Sequence, residues 1–360
     1  MADRDIDPRT MSMDKSAALA KLDPYLDWCK LLRTPADMLA PQPPPNWLIA
    51  DWSVAGSVTG VFGAPGSKKT WSMIDQAVCI AMGKTWMGRA TQTTRVLWLD
   101  EDNGERRTLA RLGQSLRAHE APADTAIFSM SLAGVNLNDE TSVEHLVRII
   151  TDRHIGAVYL DTLQDGVGGA KIVSPDEMRP TLQTMRRIAD ATNCAWTFIH
   201  HTNRLGDYMG AITIAGKVDL LVGVTSNPDS AIVTFESQKV RDGAPMKFAA
   251  EMLFYPDMVW LRSADISQIE ARKKVAALSG AARQVYDYLS EHVTGTKKDM
   301  ATDTLSEDAI KKALQRMKED GLVMLVETHK GSGLGVYKLT SGDAETCGDK
   351  AGTVSARGQA

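Results

Sequence analysis

What this 360-residue chain has little of narrows its chemistry first. Its four cysteines, Cys29, Cys79, Cys194 and Cys347, are scattered with no metal-type spacing. With no signal peptide at the start, they argue for a reducing cytoplasm. No apolar run approaches the ~20 residues that a membrane helix needs, so no membrane partner is expected. Positive charge is not in excess: 41 Lys and Arg stand against 45 Asp and Glu, a formal net charge of −4. The chain as a whole is therefore not a basic coat for nucleic acid, and any such contact must come from a local patch. No internal repeat is visible. What is plentiful is apolar residue, 43%. At this length that supports a sizeable core, in one large domain plus a small one or in two medium ones.

Punctuation divides the chain. Residues 1–40 are charged and Ala/Leu-bearing, with a short helix expected from Ser16 to Leu22. The run PQPPPNW (41–47) cannot be helical and reads as a stiff linker or domain edge, which sets off residues 1–44 as an N-terminal segment. Strand-like and helix-like segments then alternate over 45–265. A charged helical linker covers 266–280, and 281–341 reads as a separate small module. The tail, 342–360, holds no apolar cluster and is expected to be disordered.

The middle region carries the chemistry. Residues 61–73 read VFGAPGSKKTWSM, close to the phosphate-loop pattern of Gly, four residues, Gly, Lys, then Ser or Thr. Gly63, Lys69 and Thr70 fit, while Lys68 stands where the second glycine belongs. That glycine often needs positive φ or a close phosphate approach, so Lys68 brings strain on the order of 1 kcal/mol and a second cation beside the phosphates. Sliding the register to make Lys68 the main phosphate lysine breaks the spacing to Gly63 and puts Lys69 where a hydroxyl belongs. The loop follows a β-rich run and precedes a helical one, TWSMIDQAVCIAM, so backbone N–H groups and the helix dipole both favour an anion there. The expected binding stretch is Gly63, Ala64, Pro65, Gly66, Ser67, Lys68, Lys69, Thr70 and Trp71.

Buried runs RVLWLD (95–100), AIFSM (126–130), AVYLD (157–161) and WTFIH (196–200) alternate with helical segments, which predicts an α/β fold with a mostly parallel sheet and helices on both faces. Two runs end in acids. Asp161 falls at the carboxyl end of a strand, where open α/β sheets place ligands and an acid can hold Mg²⁺. Asp100, Glu101 and Asp102 end another, where a carboxylate can deprotonate an attacking water. Any one acid alone reads more readily as a helix or turn cap. Three signals in this order at strand ends do not.

Together these segments, with FIHHTNR and SQKVRDG, resemble the RepA-type replicative helicases of plasmids and related ATPases of phages and mobile elements, in the RecA/DnaB-like class of hexameric motors. The resemblance covers roughly residues 45–262. It implies a RecA-like P-loop core that takes ATP and Mg²⁺ between subunits of a ring. It implies Lys69 and Thr70 on phosphate and Mg²⁺, Asp161 as the Walker B acid, and Glu101 as catalytic base with Asp102 open as its substitute. It implies His200 as the sensor of the γ-phosphate, and Lys239 and Arg241 as cations supplied to the neighbour's ATP. For each there is a plainer reading: strand-end histidines, and a solvated strand face for the Lys239–Arg241 pair. In such rings the loops at 164–177 and 202–211 line a channel for single-stranded DNA, with Lys171 and Arg204 the phosphate partners.

The small module resembles a winged-helix domain. Val285, Tyr288 and Leu289 share one helical face. Ile310, Ala313, Leu314 and Met317 make the stripe of a second helix, with a capping box at Thr304 and Glu307 and a stop at Gly321. The stretch TGTKKDMATDT leaves little room for a middle helix. Lys311, Lys312, Gln315 and Lys318, with His329 and Lys330 in the wing, are candidates to meet a duplex, though such modules also dock proteins. The leading expectation is a ring-forming helicase that works with a replication initiator or a separate primase. The alternatives are a RecA-like recombination or annealing accessory and an ATP-dependent DNA-binding regulator.

Overall fold

A computed structural model describes residues 32–167, 175–202, 211–227, 229–328 and 334–340. The expected helix at 16–22, the tail, Lys171, Arg204, His329 and Lys330 lie outside the described residues. The chain forms two compact units that divide between Ala264 and Asp265.

The first unit begins with a short helix, α1 (Pro35–Leu39), capped reciprocally by Thr34 and Asp37, and a small pair of strands, β1 (Trp47–Ile49) and β2 (Ser53–Val54). Then strands and helices alternate: β3 (Val58–Gly63), α2 (Lys69–Met82), β4 (Arg95–Asp100), α3 (Glu105–Ala118), β5 (Ile127–Ser131), α4 (Glu140–Asp152) and β6 (Ile155–Asp161). After these come α5 (Pro175–Thr192), β7 (Ala195–His201), α6 (Ala211–Lys217) and β8 (Leu220–Thr225), and the unit closes with β9 (Ile232–Val240), β10 (Lys247–Phe254) and β11 (Val259–Ala264). The nine-stranded sheet runs β11-β10-β9-β8-β3-β7-β6-β4-β5. From β5 to β8 every pairing is parallel, and β9, β10 and β11 continue it as antiparallel hairpins.

The apolar runs become central strands because both their faces are covered. All six residues of β3 are buried. Side chains alternate between two cores. Leu97, Leu99, Val158, Leu160, Trp196 and Phe198 join the core that holds Leu146 and Ile150 of α4 and Met185 and Ile188 of α5. Val96, Trp98, Ala157, Tyr159, Ala195 and Ile199 join the core that holds Met73, Ile74, Ala77 and Ile80 of α2. In the second, Trp98 stacks on Tyr159 with centroids 5.5 Å apart. This two-sided alternation fixes which strand-end residues face the loop before α2.

The second unit is built from α7 (Ile266–Ala276), α8 (Gly280–His292), β12 (Thr294–Thr296), the single-turn α9 (Lys297–Met300), α10 (Glu307–Glu319), β13 (Val323–Thr328) and β14 (Gly335–Leu339). Its antiparallel sheet runs β12-β14-β13. Ile310, Ala313, Leu314 and Met317 are buried against Val285 and Leu289 of α8. The N-cap of α10 is Ser306, whose hydroxyl accepts from Ala309 N at 3.3 Å, rather than Thr304, because the helix starts two residues later than the capping-box spacing suggested. Gly321 ends the helix at φ 74°, with Leu322 N donating to Met317 O at 2.8 Å and Gly321 N to Lys318 O at 3.1 Å.

Candidate functional site

The loop between β3 and α2 is shaped by where side chains cannot go. A Cβ on Gly63 would lie 2.3 Å from Val224 O, so only glycine lets the strand end pack against β8. Gly66 turns with φ 78°, and Lys68 itself is left-handed at φ 65°, directly before the first helical residue. A non-glycine residue there costs on the order of 1 kcal/mol. Three hydrogen bonds from the Lys68 ammonium offset that cost: to Ser226 Oγ at 2.8 Å, Asn227 O at 3.1 Å and Ser230 O at 2.9 Å. Lys68 thus ties the loop to the turn between β8 and β9.

Lys69 is buried, at 5% exposure. Its ammonium donates to Gly63 O at 2.7 Å, Ala64 O at 2.9 Å and Ser67 Oγ at 3.3 Å, all neutral oxygens. Burial lowers its pKa to about 8, against the opposing pull of Asp161. A buried cation with only neutral hydrogen-bond partners is complementary to an anion that approaches the loop. The next residue, Thr70, donates from Oγ1 to Asp161 Oδ2 at 2.9 Å. Burial, and then the charge of Asp100, push the Asp161 carboxyl up to about 7, while the Thr70 bond pulls the other way. This hydroxyl and carboxylate are hard oxygen donors beside a cationic loop and fit Mg²⁺.

Alternation sorts the remaining strand-end residues. Asp100 pairs with Asp161 across parallel strands, and His201 with Gly63. By the period-2 rule Asp100, Asp161 and His201 share the face of α2. Asp100 is 1% exposed and accepts from Asp102 N at 3.0 Å, Asn103 N at 2.7 Å and Thr108 Oγ1 at 2.5 Å, so it organises the turn into α3. His201 is held below its ordinary pKa by burial and by Lys69, with Asp102 and Asp165 opposing. His200 belongs to the opposite face, with Phe198, and is buried there. Glu101 also turns that way: its carboxylate accepts from Gly134 N at 3.0 Å and Val135 N at 3.3 Å. Lys69, Thr70 and Asp161 therefore come together, and Glu101 and His200 stand apart from them. His201 is the residue that reading the sequence passes over. The period-2 parity that His201 shares with Asp161, two residues past its register partner, is the signal for it.

Beside the loop, Trp71 meets Phe254 edge-on at 5.6 Å, and the Arg111 guanidinium lies 5.6 Å from the Trp71 ring centroid. Deeper in α2, Asp75 Oδ1 lies 2.8 Å from His119 Nε2, which is 3.8 Å from Cys79 Sγ. Asp75 and His119 are directly hydrogen-bonded at that separation and tie α2 to the end of α3. Tyr159 OH donates to Gln76 Oε1 at 2.8 Å and ties α2 to β6.

Lys239 and Arg241 lie elsewhere. Lys239 pairs with Leu221 near the start of β8, and Arg241 N donates to Asp219 O at 2.9 Å. Asp219 in turn bonds to Val58, the first residue of β3, whereas the loop leaves the last, Gly63. Five strand steps separate these ends, roughly 16 Å. The pair therefore stands at the opposite end of the sheet from its own chain's Lys69.

A glycine-bearing loop between a buried parallel strand and a helix, a buried lysine at the first helical residue, and a hydroxyl joined to a strand-end acid define a P-loop ATPase with an α/β core. The sequence profile described as "AAA domain" matches residues 27–207, half of the chain, and the protein belongs to that family. No curated protein matches the chain. Among solved structures it is similar to one described as an "ATPase Domain", with a TM-score of 0.46 and 14% identity over 59% of this chain and 86% of that one.

Lys69→Ala is expected to abolish ATP binding in a nucleotide titration, while Lys68→Gly retains it, because only the latter leaves the buried ammonium in place. Equal loss in both would overturn the assignment of Lys69 as the single phosphate lysine. The acid makes a prediction in pH. An aspartate whose folded pKa is raised penalises the fold as pH climbs from the unfolded value of 3.8 through about 7. Asp161→Asn keeps an acceptor for Thr70 and removes the penalty. In the nucleotide-free protein it is expected to raise the melting midpoint by roughly 5 °C at pH 8 and by little at pH 4. A gain independent of pH would refute the burial argument.

Proposed function

We propose that this protein is an ATP-hydrolysing DNA motor that works as a ring of identical subunits, a replicative helicase of a plasmid, phage or other mobile element. The observation that carries the reading is the separation of the two cationic sets. Lys69 and Thr70 gather at one end of the sheet beside Asp161. Lys239 and Arg241 stand at the other end, too far to reach the same phosphates. Cations placed so serve a neighbour's nucleotide, and a ring of subunits completes every site. In this reading residues 63–71 hold the phosphates of ATP, and Thr70 and Asp161 hold Mg²⁺, which neutralises charge on the transferring phosphoryl group. Single-stranded DNA passes the loops that follow β6 and β7, and a strand-end histidine reports the state of the site to them. The resemblance gives that role to His200; His201 has the electrostatic contact with Lys69.

Water activation is assigned to the end of β4, where the resemblance names Glu101 as the base; to reach the water its carboxylate has to leave Gly134 N and Val135 N. Glu101→Gln is expected to bind ATP and to lose about 100-fold or more in turnover, since the phosphate cradle stays intact. Normal hydrolysis by Glu101→Gln, with loss in Asp102→Asn, would move the base to Asp102, whose charge reaches Asp161 and His201.

The second unit suits a winged-helix role, with Lys311, Lys312, Gln315 and Lys318 exposed on α10 and open to DNA or to a protein such as an initiator or primase. Those lysines favour, as a second reading, an ATP-dependent regulator that binds one DNA site. ATPase assays with and without single-stranded DNA, together with electron microscopy of the assembly, separate the readings. Rings with DNA-stimulated turnover support the motor, and a dimer with a single-site footprint supports the regulator. Arg241→Ala should bind nucleotide nearly normally and be inactive alone. Mixed with Lys69→Ala, also inactive alone, it should regain part of its activity, because some interfaces then pair an intact loop with an intact arginine. No recovery despite demonstrated subunit exchange would sink the ring reading.

A further inference from the structure

The patch around Lys239 and Arg241 holds more cations than a neighbour's phosphate needs, and they are organised around one buried acid. Asp219 is 6% exposed and precedes β8. Its Oδ1 accepts from Arg241 Nη1 at 3.0 Å, and its Oδ2 accepts from Val58 N at 2.9 Å and from Arg186 Nη1. The main chain doubles both ties: Asp219 N donates to Val58 O at 2.8 Å, and Arg241 N to Asp219 O at 2.9 Å. The other end of the Arg241 guanidinium donates to Gly216 O at 3.2 Å, and the Lys239 ammonium donates to Ala215 O.

We infer that Asp219 is a positioning residue: it holds the Arg241 guanidinium ready for a phosphate group presented by a second copy of this chain. The inference rests on the reading of Arg241 as a residue that acts between subunits. Three features argue for it over simple stabilisation. First, the acid is buried while its guanidinium partners stay open, with side-chain exposures of 8% for Asp219 against 41% for Arg186 and 45% for Arg241. An acid that merely paired with surface arginines would be exposed with them, and such pairs contribute ~0–1 kcal/mol. Second, the Val58 N–H fixes the carboxylate's orientation to the sheet, so the planar fork of Arg241 is aimed before any partner arrives. This lowers the entropy lost on docking. Third, charge does not balance among the described residues. There Arg186, Lys239 and Arg241 share one carboxylate, and Arg186 and Lys217 line an open depression of about 600 Å³. Crowding shows on Lys239, whose pKa is lowered by burial first and by Arg241 second. A surface in this state is completed by an anion.

Asp219→Asn keeps an acceptor for Val58 N but cannot offer charged oxygens to two guanidiniums. It is expected to bind ATP within about 2-fold of the parent and to lose ~10-fold or more in turnover. Mixing experiments then locate the defect. Asp219→Asn mixed with Lys69→Ala should recover activity, and mixed with Arg241→Ala it should not, because both proteins of that pair lack a working arginine. Recovery with Arg241→Ala would place the defect in the chain's own site and overturn the inference, as would unchanged turnover. Lys69→Ala with Arg241→Ala is the control. If that pair recovers nothing, the between-subunit reading itself fails and the inference falls with it. Should Asp219→Asn not bind ATP, Asp219→Ser, whose hydroxyl still accepts from Val58 N, takes its place. Loss of binding in both would make Asp219 a folding residue and end the proposal.

Discussion

Lys69 carries its ammonium into an interior where only carbonyls and a hydroxyl meet it. Holding a cation there is unfavourable, as its lowered pKa records. The fold keeps it in place because Lys69 is both the first residue of α2 and the neighbour of a loop pinned on two sides. Gly63 presses on β8, and Lys68 grips the turn after it. A loop so fixed cannot collapse onto its own lysine with a carboxylate of the chain. Asp161, the acid within electrostatic reach, is bonded to Thr70 and is itself pushed towards the neutral form. The site is left short of negative charge, which is the condition for binding a polyphosphate tightly.

Placement of every other polar group follows from strand parity. Parallel register aligns Asp100 with Asp161 and His201 with Gly63, and the two cores fill the faces between them. A shift by one residue in any of these strands would send its terminal acid or histidine to the side of α4 and α5. This explains why adjacent residues have such different surroundings. Asp100 is sealed under the turn into α3, while Glu101 clasps the backbone at Gly134 and Val135.

Much of this is legible in the sequence. The buried runs become the central strands, Lys69 and Thr70 open α2 directly after the loop, and the left-handed backbone expected of a glycine position is found at Lys68. The partner of Lys68 is not legible, since Ser226 lies 158 residues away and no local pattern announces it. The motif points that lysine at phosphate, whereas its contacts run to the β8–β9 turn. Parity at the strand ends is legible in principle and easily missed in practice. VLWLD and AVYLD end on like residues, and continuing that count through the adjacent histidines singles out His201. The α10 cap slips from Thr304 to Ser306 because several hydroxyl and acidic residues crowd that start, and only the tertiary fit of the stripe decides among them.

The two ends of the sheet make opposite electrostatic demands, and this bears on how such a chain works. At the carboxyl ends of the parallel strands, acids and a buried lysine share a narrow region, so proton and metal equilibria there are coupled. At the amino ends one acid anchors cations that lean outward. In the ring proposed above, the amino end of one copy would stack on the loop end of the next and serve both without altering either fold. Because the two surfaces differ, such a contact is heterologous, and repeating it would close a ring or extend a helix. β3 is the element common to the two ends. It touches Asp219 through Val58 and delivers the loop through Gly63, so one fully buried strand sets the distance between the Asp219 cluster and the phosphate loop.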